Sequence, residues 1–252
     1  MSWFGLPNTT VFAGIHKGFA PPRPDRDVET DGAGNVLTNN TSAEESINTE
    51  IGVRSNAFKG VAFETTLFNI DFDNLVVNAG NGTFENAGKS QHTGIEFAGR
   101  VDFGTIYNTP HNFYVSGSYT NLFIAKFKKD GIDPDDGINS GSRLPYAPRQ
   151  LASVSFGYEH PLGFDARFGV DYVSEQQPDA GNRGADPLTG LSGEIPAYTL
   201  LNISLNYKPI GSNATFFVSG YNLADKEFLV SRVDGMVAGR QRQVFGGVRY
   251  DF

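Results

Sequence analysis

The chain of 252 residues contains no cysteine, one tryptophan and two methionines, and its basic side chains are outnumbered by acidic ones. The absence of cysteine excludes a disulfide framework, a cysteine-ligated zinc site and a thiol nucleophile. The 20 Lys and Arg against 28 Asp and Glu give a net charge of −8. This balance argues against a nucleic-acid partner, because phosphates require a basic surface.

Long apolar runs are also missing. The longest runs, such as residues 122–125, have about four residues, whereas a transmembrane helix needs about 20. Residues 1–5 contain neither the basic n-region nor the apolar h-region of a signal peptide. We therefore expect neither a membrane-spanning helix nor a signal peptide in this sequence.

Glycine and aromatic residues are abundant. The chain has 30 Gly, 21 Phe and 10 Tyr, so glycine makes up about 12% of the residues against a usual ~7%. The mean hydropathy is nevertheless negative. Many aromatic residues in a hydrophilic chain suit short strands that have one apolar and one polar face.

Apolar residues recur with a period of two along most of the chain, which is the pattern of a strand with one apolar face. In the last segment, for example, Val244, Gly246, Val248, Tyr250 and Phe252 alternate with mostly polar residues. A change of phase near Leu67 predicts a β-bulge there. The ten predicted strands are residues 9–17, 46–56, 60–72, 91–103, 112–128, 149–159, 164–176, 198–208, 213–223 and 240–252.

The predicted connections alternate between short and long. This alternation predicts an all-β, antiparallel up-and-down transmembrane β-barrel portion with short periplasmic turns and long extracellular loops. We expect a curved open sheet or partial barrel with residues 9–17 and 240–252 as its edges. The short connections are residues 57–59, 104–111, 160–163 and 209–212, and the long ones are 18–45, 73–90, 129–148, 177–197 and 224–239.

A soluble β-sandwich or barrel is the alternative fold, because its strands also alternate. Two features favour the membrane barrel. The short turns lie at one end of the predicted strands and the long loops at the other, and strands of ~11–13 residues exceed the usual ~5–6. Aromatic residues also lie at strand ends, as Tyr158 and Tyr207 do, which is typical of the interfacial girdles of outer-membrane barrels.

Four stretches of the sequence carry distinctive motifs. They are residues 15–24 (IHKGFAPPRP), 45–54 (ESINTEIGVR), 67–74 with 93–96 (LFNIDFDN, TGIE), and 220–226 with 246–252 (GYNLADK, GGVRYDF). In this order, and ending on a terminal phenylalanine, they resemble the C-terminal barrel of TonB-dependent outer-membrane receptors, in the ferric-dicitrate and ferric-siderophore branch.

The resemblance implies that residues 1–252 correspond to the last ten strands of a 22-stranded barrel, without the plug domain, TonB box and signal peptide. It implies a receptor for a ferric chelate, either a siderophore or ferric citrate, energised through TonB by way of the plug. The expected location is the outer membrane of a Gram-negative bacterium. The expected partners are outer-membrane lipid and lipopolysaccharide, the TonB complex, the barrel-assembly machinery and the ferric chelate, but no nucleic acid. The resemblance also makes Val248, Tyr250 and Phe252 an assembly signal.

No catalytic or metal-binding constellation is present, so we do not expect an enzyme or a resident cofactor. None of the four His pairs with another at helical spacing; His111 and His160 are interpreted as turn residues. The acidic stretch 130–137 predicts a solvated loop, with a weak Ca²⁺ site as the alternative, because it lacks the regular spacing of an EF-hand.

The candidate ligand contacts are His16, Arg23, Arg26, Arg143 and Arg183. The four Arg lie in long loops, and His16 lies on a polar face just below the first of them. Arginine binds carboxylates in a bidentate way and would suit an anionic ferric chelate; ordinary surface or lipopolysaccharide contacts are the alternative for each. A passive porin is the alternative function.

Overall fold

The computed structural model describes residues 7–21, 28–30, 36–38, 41–80, 83–128, 139–178, 188, 190, 192–232 and 235–252. Fourteen strands and one short helix occur in these ranges. They are β1 (Thr9–Ala20), β2 (Val28–Thr30), β3 (Val36–Thr38), β4 (Glu44–Ser55), β5 (Val61–Gly80), β6 (Thr83–Asp102), α1 (Phe103–Tyr107), β7 (Asn112–Phe127), β8 (Gln150–Glu159), β9 (Phe164–Val173), β10 (Tyr198–Tyr207), β11 (Ala214–Tyr221), β12 (Leu229–Ser231), β13 (Val237–Ala238) and β14 (Gln243–Tyr250).

Ten of the strands form one antiparallel sheet in the order β1-β4-β5-β6-β7-β8-β9-β10-β11-β14. The pairs β2-β3 and β12-β13 are separate small hairpins. The ten predicted strands are therefore confirmed as a meander, with β1 and β14 as its edges. Within the described ranges, no helix combines the length and apolar character needed to span a membrane.

The sheet has two chemically different faces. Side chains directly opposite one another across neighbouring strands share a face. The row Val154, Val170 and Leu201 defines what we call the outer face, and the next row, which contains Ser155 and Asn202, defines the inner face. Along most of the sheet the outer face is apolar and the inner face is polar.

This single sheet buries few apolar side chains. On the outer face, Ile15 is 76% exposed and Val248 is 60% exposed. A sheet face normally packs against another layer of the protein, and the described residues provide none for the outer face. The buried apolar residues within the described ranges are Tyr114, Ala125, Phe127, Ile195 and Leu200.

The hairpin β5-β6 is longer than the sequence predicts. Most of residues 73–90, predicted as a loop, belongs to two strands of 20 residues each. The prediction of a bulge near Leu67 is also wrong, because β4 and β5 keep an unbroken register from Ser55–Phe63 to Glu45–Asp73. Within this part of the sheet, register shifts occur instead beyond Phe72 in the pairing of β5 with β6 and at Thr93/Gly94 in the pairing of β6 with β7.

The phase change at Leu67 has a different cause. Leu67 lies on the outer face, and above it the apolar Phe68 and Ile70 are separated by the polar Asn69. The register places Asn69 on the outer face and the two apolar residues on the inner face. The strand continues regularly while its outer face changes from apolar to polar.

Four glycines on the inner face allow an aromatic ring to pack closely against the backbone. A Cβ on Gly157 would come within 2.0 Å of the Tyr114 ring, which lies directly opposite. The aromatic ring of the residue directly opposite occupies the space that a side chain at the glycine would fill. The same arrangement recurs at four directly opposed pairs: Phe12–Gly52, Phe68–Gly94, Tyr114–Gly157 and Phe217–Gly247.

Candidate functional site

A cleft of about 740 Å³ lies along the inner face, towards the end with the short turns. Small hydroxyl side chains line its floor because serines occupy the inward positions of β7 and β8. Three arginines, Arg54, Arg100 and Arg167, stand at its sides. The serines are Ser116, Ser118, Ser153 and Ser155.

The Arg100 guanidinium is fully engaged. Its Nη2 donates to Asp102 Oδ1 at 2.7 Å and to Glu159 Oε1 at 2.9 Å, and Nε donates to Asp102 at 3.0 Å. The amide of Asn112 donates to both carboxylates, at 2.8 and 3.0 Å. The guanidinium carbon also lies 3.7 Å from the centre of the Tyr114 ring, as a cation–π pair. The cluster holds one guanidinium and two carboxylates, so it offers a ligand no excess positive charge, and its bonds connect β6, β7 and β8.

The other two cleft arginines differ from each other. Arg54 is bonded to the Glu64 carboxylate. Arg167 donates from Nε to Ser155 Oγ at 3.1 Å, and among the described residues it forms no ion pair. Arg167 is thus the cleft cation whose charge is not balanced by a paired carboxylate among the described residues. The sequence analysis did not identify it.

His16 lies on the inner face of β1, as the sequence predicts for a polar-face residue. Its Nε2 is 3.5 Å from Glu50 Oε1 across the strand pair, and its side chain is largely exposed. A ligand approaching from the long-loop end can therefore reach its imidazole. His92, also on the inner face, packs edge-on against Phe72 at 5.4 Å between ring centres.

Arg143 is half-buried and holds its own loop together. Its Nε and Nη2 both donate to the carbonyl of Ala147, at 3.1 and 2.6 Å. Burial, followed by the nearby Arg149 cation, lowers the pKa of Arg143, but the group stays charged at neutral pH because an arginine pKa begins so high. An isolated bridge pairs its backbone with Lys126 of β7, and its charge lies close enough to act on His92 of the inner face. His16 is three strands away from His92, on β1, so Arg143 and His16 are not neighbours.

Arg232 joins three connections at the long-loop end, although no sequence pattern pointed to it. Only 9% of Arg232 is exposed. Its Nη1 donates to the Gly190 carbonyl at 2.9 Å, its backbone N–H donates to Tyr146 Oη at 3.1 Å, and among the described residues its Nε has no partner. Arg232 therefore links its own connection to those that contain Tyr146 and Gly190.

An aromatic recess lies beside these loops, between β10, β11 and β14. Its volume is about 520 Å³. Tyr198 packs against Phe228 at 4.4 Å between ring centres, and Arg240 adds a cation. The alternating tyrosines and phenylalanines of these strands were a usable signal, but the sequence alone could not bring Tyr221 and Phe245 to the same wall.

The structure brings the two turn histidines together at the short-turn end. The rings of His111 and His160 lie 5.1 Å apart. His111 Nδ1 is 2.7 Å from Tyr158 Oη, and His160 Nδ1 accepts the Leu162 N–H at 3.1 Å. These contacts connect two neighbouring turns and are consistent with the interpretation of both histidines as turn residues.

The last strand presents Val248 and Tyr250 on the outer face, opposite Phe216 and Ala214. Phe252 follows the strand, is fully exposed and packs edge-on against Tyr250 at 5.1 Å between ring centres. The inward Phe245, which broke the sequence alternation, faces Ser219 on the inner side.

Arg23, Arg26, Arg183 and the acidic stretch 130–137 lie outside the described residues. Within the described ranges, no group of three or more His, Asp or Glu is placed to hold a metal ion. The arrangement on the inner face is suited to binding polar or anionic molecules.

A family model described as "TonB dependent receptor-like, beta-barrel" matches residues 2–223. Over 204 residues the chain is 26% identical to the catecholate siderophore receptor Fiu of Escherichia coli strain K12, covering 79% of this chain and 24% of that receptor. The chain thus spans about a quarter of the length of the curated relatives it matches.

Solved structures share the fold. The unliganded ferric citrate transporter FecA superimposes with a TM-score of 0.72 at 20% identity, over 98% of this chain and 36% of that one. The closed form of the ferric-catecholate import receptor Fiu from E. coli K12 gives 0.69 at 22% identity, over 97% and 33%. The siderophore receptor PirA from Acinetobacter baumannii gives 0.71 at 18% identity, over 98% and 39%. At these identities the likeness shows the fold alone.

Proposed function

The chain belongs to the TonB-dependent receptor-like β-barrel family, and from that premise we propose that it forms ten strands of the wall of an outer-membrane receptor for a ferric chelate. Its relatives are transport receptors rather than enzymes. The receptor binds the chelate at the outer surface and imports it with energy delivered through TonB and a plug domain. The location is the outer membrane of a Gram-negative bacterium.

One observation carries the membrane part of this proposal. Ten consecutive strands present an apolar outer face that no described residue covers, while the opposite face is polar. Lipid is the medium that stabilises such an outer face, and a polar inner face is typical of outer-membrane barrels. All backbone groups of a spanning strand must be paired, so the two edges, β1 and β14, pair with further strands of the receptor wall.

The ligand contacts we propose are the residues identified from the sequence: His16, Arg23, Arg26, Arg143 and Arg183. His16 is the best supported among the described members, because its exposed imidazole faces inward. Arg143 can contribute only from the loop, since its guanidinium is held by the Ala147 carbonyl. Arg167 and the recess at Tyr198 are further candidates on the inner wall.

The import mechanism is tested by measuring uptake of radiolabelled ferric chelates in cells that express the full receptor, with and without TonB. We expect uptake to require TonB. Equal uptake without TonB would overturn the energised mechanism and favour a passive porin. A receptor that binds none of a panel of ferric siderophores and ferric citrate would overturn the ligand class.

The arginine contacts are tested separately by changing Arg23 and Arg26 to Ala in the full receptor. A charge-assisted hydrogen bond contributes about 1.5–3 kcal/mol, so losing one should weaken chelate binding about tenfold or more and reduce its dependence on salt. Affinity is measured at two salt concentrations. Unchanged affinity and salt dependence would remove these two arginines from the site.

We also propose that the terminal strand, with Val248, Tyr250 and Phe252, is recognised by the barrel-assembly machinery. Its support is the exposure of Phe252 beyond the last strand pair. Deleting Phe252 from the full receptor should lower the amount assembled in the outer membrane, measured as the heat-modifiable fraction on a gel. A deletion that leaves this fraction unchanged would contradict the proposal, and replacing Phe252 with Tyr serves as the control.

A further inference from the structure

His92 occupies an enclosed position on the inner face of β6. Ile70 of β5 and Ala125 of β7 lie directly opposite it, and its ring packs edge-on against Phe72. Its Nδ1 atom is shielded from solvent and has no hydrogen-bond partner among the described residues. Buried polar groups normally have such a partner, so strand pairing alone does not explain why an imidazole lies here.

A connection returns along β7 beside this histidine. Residues 141–144 extend the sheet through three backbone hydrogen bonds to the end of β7. Ala125, which accepts one of them, is the residue opposite His92 and is only 2% exposed. The closed connection is therefore bonded to the row that contains His92. The three bonds are Phe127 N–H to the Ser142 carbonyl at 2.9 Å, Gly141 N–H to the Phe127 carbonyl at 2.8 Å, and Leu144 N–H to the Ala125 carbonyl at 2.9 Å.

The charge that acts on His92 is a second cation. Burial, followed by the Arg143 cation of the same connection, lowers the pKa of His92. Arg143 itself lies near Arg149 and Glu175, and Lys126 of β7 belongs to the outer face. The carboxylates of β4 and β5 that are nearest in register do not compensate, because each already has a basic partner. These pairs are Asp71 with Lys128 at 2.8 Å, Asp73 with Lys89 at 2.7 Å, and Glu50 with His16 at 3.5 Å.

We infer that protonation of His92 releases residues 141–144 from β7 and so opens the long-loop end of the wall in a mildly acidic medium. In the closed form the imidazolium lies among apolar side chains and near the Arg143 guanidinium, whereas in the open form water solvates it. Gln91 and Thr93, the outer-face residues that flank His92, are polar, so the switch lies above the apolar part of the wall.

The direction of the pH effect follows from the lowered pKa of His92. The closed form binds the proton less readily than the open form does. Closure is therefore fully favoured above about pH 6.5, the ordinary pKa of histidine, and less favoured as the pH falls below that value towards the pKa of the closed form. The inference depends on neither the ferric chelate nor TonB, so its failure would leave the proposed function untouched.

The test measures amide hydrogen exchange of the full receptor in lipid vesicles by mass spectrometry. Exchange is compared at about pH 7.5 and about pH 5.5, on either side of the ordinary histidine pKa, with labelling times scaled to the intrinsic exchange rate at each pH. His92→Phe keeps an aromatic ring against Phe72 but cannot be protonated, and His92→Gln is a second neutral variant. His111→Phe is the control, because His111 is an exposed histidine at the opposite end of the wall.

In the wild type, residues 141–144 should exchange about fivefold faster or more at the lower pH, because a buried charged group without a partner favours opening at least that strongly. Both His92 variants should exchange slowly at either pH, and His111→Phe should respond as the wild type does. Arg143→Gln, which keeps a donor for the Ala147 carbonyl, should respond less.

Three results would overturn the inference. They are wild-type exchange that does not depend on pH, an acid response that persists in both His92 variants, and a full response in Arg143→Gln. Acid-accelerated exchange throughout β5, β6 and β7 would also overturn it, because the wall rather than the connection would then be opening.

Discussion

The β5-β6 hairpin has a lower part, from Val61 to Leu67 and the paired residues of β6, and an upper part that begins at Phe68. The two parts differ in which face carries the apolar side chains. In the lower part, Phe63 and Phe97 lie on the outer face. In the upper part, Asn69 takes the outer position and accepts hydrogen bonds from Gln91 Nε2 at 2.8 Å and Thr93 Oγ1 at 2.7 Å. The register of β5 with β6 is unbroken from Val61 to Phe72, so a shift in strand pairing is not the cause of this change of pattern.

The two parts also use their inner faces differently. The lower inner face is a polar wall stiffened by the Arg100 network and by Tyr114 packed over Gly157. The upper inner face carries Phe72 and His92 in contact. A substitution should therefore change the free energy of unfolding by a different amount in each region, and three pairs of substitutions test this.

The largest difference should come from placing a charge on the outer face. A lysine near the bilayer midplane of a barrel costs about 2–4 kcal/mol, so Val154→Lys, on the outer face in the middle of β8 opposite Val170, should lower the free energy of unfolding by that amount. Gln91→Lys, on the upper outer face beside Asp71, should change it by less than about 1 kcal/mol. Both are measured by denaturant unfolding of the full receptor in lipid vesicles. Equal effects would mean that both positions face the same medium.

A smaller effect should follow from filling the space of an inner-face glycine. In Gly157→Ala the new methyl group would meet the Tyr114 ring, which the Arg100 guanidinium holds from its other side. Overpacking of this kind costs about 1–3 kcal/mol. The matched control is Gly169→Ala, also on the inner face, where the nearest atom to a Cβ is 3.6 Å away; it should be neutral or slightly stabilising. Equal unfolding midpoints for the two variants would show that Tyr114 moves freely.

The period of two was sufficient to predict the strands, because an apolar outer face and a polar inner face alternate along most of the sheet. It also located the edges of the sheet. It failed at residues 73–90, because the Asn- and Gly-rich composition of this stretch is typical of a loop.

The site was less predictable than the fold. His16 was placed correctly because strand alternation fixes its face. Arg232 and Tyr146 lie 86 residues apart in sequence, and their contact depends on loop conformations that no period describes. Arg143 was assigned to ligand binding from its charge alone, whereas its bond to Ala147 and its place opposite Lys126 depend on how the loop returns along β7.

The smallest effect on global stability should come from Arg232, although it is the more buried of the two contrasted arginines. Arg100 bonds Asp102 on its own strand, β6, and Glu159 on β8, whereas Arg232 bonds the carbonyls of Gly190 and Glu194 in the loops. In Arg232→Met these carbonyls can accept hydrogen bonds from water once the loops open. The unfolding midpoint of the barrel should therefore stay unchanged. Opening should be more frequent, because losing hydrogen bonds to a charged group costs about 1.5–3 kcal/mol locally. We expect limited proteolysis within residues 188–196 to accelerate about tenfold or more, while the exposed control Arg249→Met leaves the cleavage rate as in wild type. A lowered unfolding midpoint with unchanged proteolysis would place Arg232 in the wall rather than in the loops.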